Sequence, residues 1–326
     1  MFLSLLACVL LGTSACVTSG GGNHPPPPTF SLPEADKVEV RELSSRTSRA
    51  GGLAFSKEGV LYFANHLTAG TIGRHAVADE EADAETFIDL SEWMSARGER
   101  KPRAHGIRLD PEGRLLAAEA GTGKVIRISQ DAGKLEVLAD AYDGTLLGNV
   151  WDVAVAPDGD VFASSPNSGL IYRIRPGDGF VGAVNDDLVR ACGLAVSPDG
   201  TRLVAAEPDA ARVVVFDLRE NDAPGKSWTL VDFSATGEEP SGLAFDEAGR
   251  LYVAMGETGK VRVFDLEEGH LLRTYDAGGE AEFLAYRDGA LYVSGGDSFR
   301  GMHLRPEGRF RKLGRLLKRA LGEDRN

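Results

Sequence analysis

The sequence predicts an all-β fold, a six-bladed β-propeller followed by a short C-terminal helix. Three observations lead there. First, one phrase recurs about six times: an apolar strand, a turn ending in glycine, then a second apolar strand. The copies are GLAFSKEGVLYFA, GIRLDPEGRLLAA, DVAVAPDGDVFAS, GLAVSPDGTRLVAA, GLAFDEAGRLYVA and FLAYRDGALYVS. Second, the turn glycines Gly59, Gly113, Gly159, Gly200, Gly249 and Gly289 are spaced by 54, 46, 41, 49 and 40 residues, the period of a four-stranded blade. Third, forty glycines and fifteen prolines accompany an ordinary 42% hydrophobic content, a balance that suits many short strands joined by tight turns.

Each element follows from local chemistry. Asp-Gly and Glu-Gly ahead of a strand are hairpin signals, because glycine tolerates positive φ and the acidic side chain bonds the turn backbone. Asp158, Asp199 and Asp288 therefore read as turn residues. Third strands are expected at 124–128, 170–174, 212–216 and 260–264, and more polar outer strands at 86–90, 135–138, 229–233 and 272–275. The last unit lacks an obvious fourth strand. The alternating run Lys37-Val38-Glu39-Val40-Arg41-Glu42 is expected to supply it and close the ring, hiding two sheet edges.

Flanking the repeats are segments of other character. Residues 1–16 read as an export leader: an apolar run too short to span a bilayer, then small residues before Cys16, the arrangement of a bacterial lipoprotein cleavage box. Lipidation of Cys16 and a cell-envelope location are expected, with ordinary secretion as the alternative. Residues 17–35 are a Gly- and Pro-rich tether, 36–305 the propeller, and 306–326 a basic amphipathic helix suited either to the acidic propeller body or to anionic headgroups. Cys192 is the one cysteine outside the leader, so no internal disulfide forms in the body. A net charge of -13, with no basic stripe in the body, argues against nucleic acid as a partner, and a monomer is expected.

In a propeller the residues just before each inner strand and just after each second strand converge on one rim of the central channel. The first set is Gly51, His105, Trp151, Cys192, Ser241 and Glu282; the second is Asn65, Glu119, Ser165, Glu207, Met255 and Gly295. Within them, His105 oriented by Glu119 or Glu207 would be a general base, and Cys192 a nucleophile that it activates. Each has a plainer reading: Cys192 as a small apolar filler, His105 as a backbone partner, the two glutamates as solvated loop carboxylates. Asn65, Trp151, Asp152, Ser241 and Glu282 are candidate ligand-binding residues, Trp151 either stacking on a ring or plugging the channel.

The phrases CGLAVSPDGTRLVAAE, HGIRLDPEGRLLAAEAGTGKVIRI and SGLAFDEAGRLYVAMGETGKVRVFD, over roughly 37–305, resemble the calcium-dependent lactonases of the regucalcin and gluconolactonase (senescence marker protein) family. More loosely they are similar to strictosidine synthase, paraoxonase and NHL-repeat propellers. The resemblance implies a divalent cation such as calcium, held by Glu, Asn and Asp side chains, which polarises a lactone carbonyl while a carboxylate or water does the proton work. At the matching places stand Gly51 for the Glu, His105, Trp151 and Cys192 for Asn, and Ser241 for the Asp, so none of those ligands is kept and no metal is assigned. Glu119, Glu207 or Asp152 would be the residues to rebuild a different site. The leading expectation is an envelope propeller binding a small molecule, peptide or partner in its channel through a degenerate lactonase-type site. The alternatives are a lactone or ester hydrolase with remodelled groups and a protein-interaction scaffold.

Overall fold

The computed structural model describes residues 30–304, apart from 45–46, 48, 78–83, 95–99 and 220–225. The leader with Cys16 and the helix expected over 306–326 lie outside the described residues.

Six four-stranded antiparallel sheets form the blades; five run in sequence order from an inner to an outer strand, and the sixth takes its outer strand from the N-terminal side of the ring. The inner strands are Leu53–Phe55, Ala104–Leu109, Val153–Val155, Leu194–Val196, Leu243–Phe245 and Phe283–Arg287. Each neighbours the next, and the sixth packs back against the first, so the ring is closed. All six glycines of the recurrent phrase take positive φ, from +73° at Gly200 to +94° at Gly159, the left-handed conformation their turns require. The predicted third strands appear with at most one added residue, as Lys124–Ile128, Leu170–Arg175, Arg212–Asp217 and Lys260–Phe264. The outer strands Glu85–Asp89, Leu135–Ala139, Ser227–Asp232 and Leu271–Asp276 each shift or extend by a residue or two.

The core is divided among the seams. Six apolar clusters each join two neighbouring blades. In the second strand of blade 2, Leu115 and Ala117 face blade 1 while Leu116 and Ala118 face blade 3. Successive strand residues point to opposite sheet faces, and here both faces are covered, which is why the second strands read as unbroken apolar runs.

Ring closure uses the predicted segment with a later start. Val40–Ser44 pairs antiparallel with Ser298–His303, matching Val40 with Met302. Val38 precedes this strand, at the end of a single 3-10 turn over Ala35–Lys37, and packs against the seam of blades 5 and 6. The tether also ends earlier than position 35. Arg250 donates to the Phe30 carbonyl at 2.8 Å and lies over its ring at 4.3 Å, Tyr275 donates to Pro33 at 3.0 Å, and Arg273 pairs with Glu34 at 2.7 Å. Residues 30–34 are thus a strap across blade 5, held by groups that composition alone does not mark.

Candidate functional site at the channel mouth

The inner strands begin at one rim of the channel with aligned phrases: Ala-Gly-Gly-Leu-Ala-Phe (50–55), Ala-His-Gly-Ile-Arg-Leu (104–109), Val-Trp-Asp-Val-Ala-Val (150–155), Ala-Cys-Gly-Leu-Ala-Val (191–196), Pro-Ser-Gly-Leu-Ala-Phe (240–245) and Ala-Glu-Phe-Leu-Ala-Tyr (281–286). The third position is glycine in four blades and the fifth is alanine in five, because the strands crowd together around the axis. Hydrogen bonds stitch neighbours at this level: Gly52 to the His105 carbonyl at 2.9 Å, Gly106 to Trp151 at 2.8 Å, Ser164 to Cys192 at 2.5 Å, Ser241 to Glu282 at 3.0 Å and Ser294 to Gly51 at 2.6 Å.

Three side chains break the small-residue pattern, and they occupy the channel. Asp152 replaces the third-position glycine of blade 3 and is fully buried. It accepts from the amides of Val153 at 2.9 Å and Leu194 at 3.0 Å, and faces Arg108, which replaces the fifth-position alanine of blade 2, at 3.5 Å. Arg108 also donates to the Ile107 and Leu194 carbonyls. Burial pushes the Asp152 carboxyl up, while Arg108 and the two amides draw it down. Gly106 is required beside it, since a Cβ there would collide with the carboxylate. Phe283 replaces the glycine of blade 6. Blades 3 and 6 oppose each other in a ring of six, and the Phe283 and Trp151 rings stack across the axis with centroids 6.1 Å apart and planes at 18°. His105 lies against both, 4.3 Å from Trp151 and 6.3 Å from Phe283. Trp151, Phe283 and His105 thus form one aromatic cluster across the axis.

The mouth carries unsatisfied polar atoms. Thr47 Oγ1, Asn65 Oδ1, His105 Nδ1, Asn149 Oδ1 and Trp151 Nε1 are buried without a hydrogen-bond partner, and all belong to the mouth segments of blades 1 to 3. Such atoms are costly unless a ligand or ordered water completes them. Burial, with Arg103 and Arg49 nearby, pushes the His105 imidazole down to about 4, so the ring is neutral at physiological pH. Cys192 is buried and its thiol is pushed up to about 12, which removes the thiolate that a nucleophile needs. Burial raises the Glu282 carboxyl, which faces Arg49 at 3.9 Å.

The carboxylates expected to assist His105 have another task. Glu119 and Glu207 are fully buried rather than solvated. Glu119 accepts from the Arg103 amide at 2.8 Å and from both the amide and hydroxyl of Thr122. Glu207 accepts from the Val189 amide at 2.5 Å and from Arg212 at 2.5 Å. The equivalent position in blade 3, Ser165, donates to Leu147 at 3.0 Å, and in blade 1 Asn65, held at φ +63°, donates to Arg49 at 2.8 Å. In blades 1 to 4 the residue at the end of the second strand thus clamps the loop that enters its own blade. Among the described residues neither glutamate bonds His105. The structure brings together His105, Trp151 and Asp152 with Asn65 close by, and adds Phe283, Arg108 and Asn149, which the sequence reading missed. Departure from the aligned Gly and Ala positions was the signal that marks Phe283 and Arg108.

The cation implied by the resemblance does not suit these donors. Ca²⁺ takes six to eight hard oxygens. Here Gly51 has no side-chain donor, the Trp151 indole nitrogen only donates, His105 offers nitrogen rather than oxygen, and Cys192 keeps its proton. No group of three or more His, Cys, Asp or Glu side chains among the described residues is arranged to hold a metal ion.

A closed ring of six four-stranded sheets defines a six-bladed β-propeller. Residues 130–282 match the SMP-30/gluconolactonase/LRE-like region. The chain is 25% identical over 178 residues to a gluconolactonase of Zymomonas mobilis, a match covering 48% of this chain and 50% of that protein. The chain thus spans about half the length of that curated relative. Among solved structures it superimposes on a gluconolactonase of Xanthomonas campestris with a TM-score of 0.71, at 22% identity over 83% of this chain and 91% of the other. For regucalcin, a calcium-binding protein of Agrobacterium tumefaciens, the TM-score is 0.65 at 17% identity, covering 83% and 96%.

Proposed function

We propose that this protein is a lactone or ester hydrolase working at the channel mouth over blades 1 to 3, without a calcium site of the family type. The family match supports the reaction class, and one observation carries the site. A buried acceptor, His105 Nδ1, and a buried donor, Trp151 Nε1, stand on rings 4.3 Å apart with neither partnered. A lactone offers the complement: its carbonyl oxygen accepts from the indole N–H, and the attacking water donates to the neutral imidazole. A carboxylic acid and a hydroxyl on one opened chain are the products. Glu119 and Glu207 hold the loops that frame the site, and Cys192 stays a neutral filler.

Purified protein assayed for lactone hydrolysis by pH-stat, with and without a chelator, tests this. Turnover that survives chelation and falls about 100-fold or more in His105→Ala is expected. Turnover indifferent to that substitution would sink the assignment, and turnover abolished by chelation would show that a metal acts after all.

Attachment to a membrane through Cys16 is proposed from the leader sequence alone. Partitioning of the native protein into a detergent phase, lost in Cys16→Ser, is the outcome that supports it; equal partitioning of both forms speaks against it.

A further inference from the structure

Exposed apolar side chains are not spread evenly over the propeller. The inner strands start at the mouth and the second strands return to it, so two sets of loops lie on that face: those joining second to third strands and those joining one blade to the next. Leu67 is on the first kind in blade 1; Trp93, Leu146 and Val189 are on the second kind, entering blades 2, 3 and 4. They are 62%, 45%, 52% and 66% exposed, so half of the exposed large hydrophobics among the described residues lie on the mouth face. The other four, Val137, Phe180, Trp228 and Leu271, lie on outer strands.

Each mouth residue is held in place by a side-chain hydrogen bond at or beside its own backbone. The Leu67 amide donates to the Thr71 hydroxyl at 2.9 Å. Trp93 ends a single helical turn capped by Asp89 through Ser91. Leu146 sits in a two-stranded hairpin beside Leu147, whose carbonyl accepts from Ser165, and the Val189 amide donates to Glu207. In three of the four the fixing group, Thr71, Ser165 or Glu207, is buried while the apolar side chain is exposed. Trp151, just before its inner strand, and His105, at the start of its own, belong to the same face.

We infer that the substrate is a lactone or ester bearing an apolar substituent, aliphatic or aromatic, whose polar ring meets His105 and Trp151 while its tail lies on the apolar rim over blades 1 to 4. This rests on the hydrolase reading above, and the two are separable. The full-length protein is assayed on δ-lactones whose alkyl substituent lengthens one methylene at a time, with glucono-δ-lactone in parallel. Burial of each methylene is worth about 0.8 kcal/mol, so kcat/KM should rise about fourfold per methylene until the rim is covered. Val189→Ser combined with Leu146→Ser should flatten that series and raise KM for the longest member about tenfold. A flat series in the wild type, or glucono-δ-lactone turned over faster than every alkyl lactone, overturns the inference while leaving the hydrolase reading intact. If no lactone is hydrolysed, saturable quenching of tryptophan fluorescence by the longest lactone, weakened by Trp151→Phe, supports the apolar ligand class and removes the hydrolase reading. Absence of both hydrolysis and quenching overturns the two together.

Discussion

His105 sets a pH window that follows from its burial. The imidazole is held at about 4 against an ordinary 6.5, so the neutral form that accepts a proton from water persists down to mildly acidic pH. Hydrolysis should therefore stay level from neutrality to about pH 5 and fall through about 4, a limb that a pH–rate profile reads directly. Stability shifts in the same sense. Between 6.5 and about 4 the unfolded chain binds the proton and the folded one does not, so this contribution is complete above 6.5 and is lost as the pH drops. The clamp glutamates differ in kind. Glu119→Gln and Glu207→Gln each weaken charge-assisted bonds to a loop, and should lower unfolding stability by about 1–3 kcal/mol in urea titrations while leaving the acid limb of the pH–rate profile where it was. A limb that moves in either variant would restore a proton-transfer role. Cys192, with its thiol pushed up to about 12, should resist iodoacetamide in the native protein at pH 8 and react once unfolded, as mass spectrometry at that residue would register.

At the level of strands and loops, the recurrent phrase announced its own hairpins, because positive-φ glycines and acidic turn residues act locally. Asp158 and Asp199 accept from backbone amides two residues on, at 3.0 Å in both turns. Which rim residues would act, and how, was less legible. Asn65, Glu119, Ser165 and Glu207 stand at one repeat position and share one task, yet the loops they clamp begin sixteen or eighteen residues upstream and carry no common sequence. The Asp152–Arg108 pair links blades 2 and 3 and is visible only once the strands are side by side. Its removal is informative: Asp152→Ala leaves Arg108 without its counter-charge and the Leu194 amide without its acceptor, and should cost about 3–5 kcal/mol by chemical denaturation. A loss below about 1 kcal/mol would mean that the pair contributes little to the rim.

Across the whole molecule, stability resides between blades, since each apolar cluster belongs to two of them and the last joins blade 6 to blade 1. A blade that opened alone would expose two clusters, so the ring should unfold as one unit rather than from an end, as an open repeat array does. Its three tryptophans are well placed to show this. Trp93 lies on the loop entering blade 2, Trp151 in the aromatic cluster across the axis and Trp228 on the outer strand of blade 4. Denaturation followed by the fluorescence of variants retaining one tryptophan each should give coincident midpoints, matching far-ultraviolet circular dichroism. The closing strand is where that cooperativity is most exposed, because Val40–Ser44 joins blade 6 from the other end of the ring's sequence and pairs there with Ser298–His303. Deleting residues 30–44 uncovers that strand's edge and removes the strap on blade 5. The midpoints should then separate, with blade 6 opening before Trp151 and Trp228 report, and with aggregation through the bared edge. Coincident midpoints in the deleted form would place the ring's cooperativity in the seams alone and relieve the closing strand of any part in it.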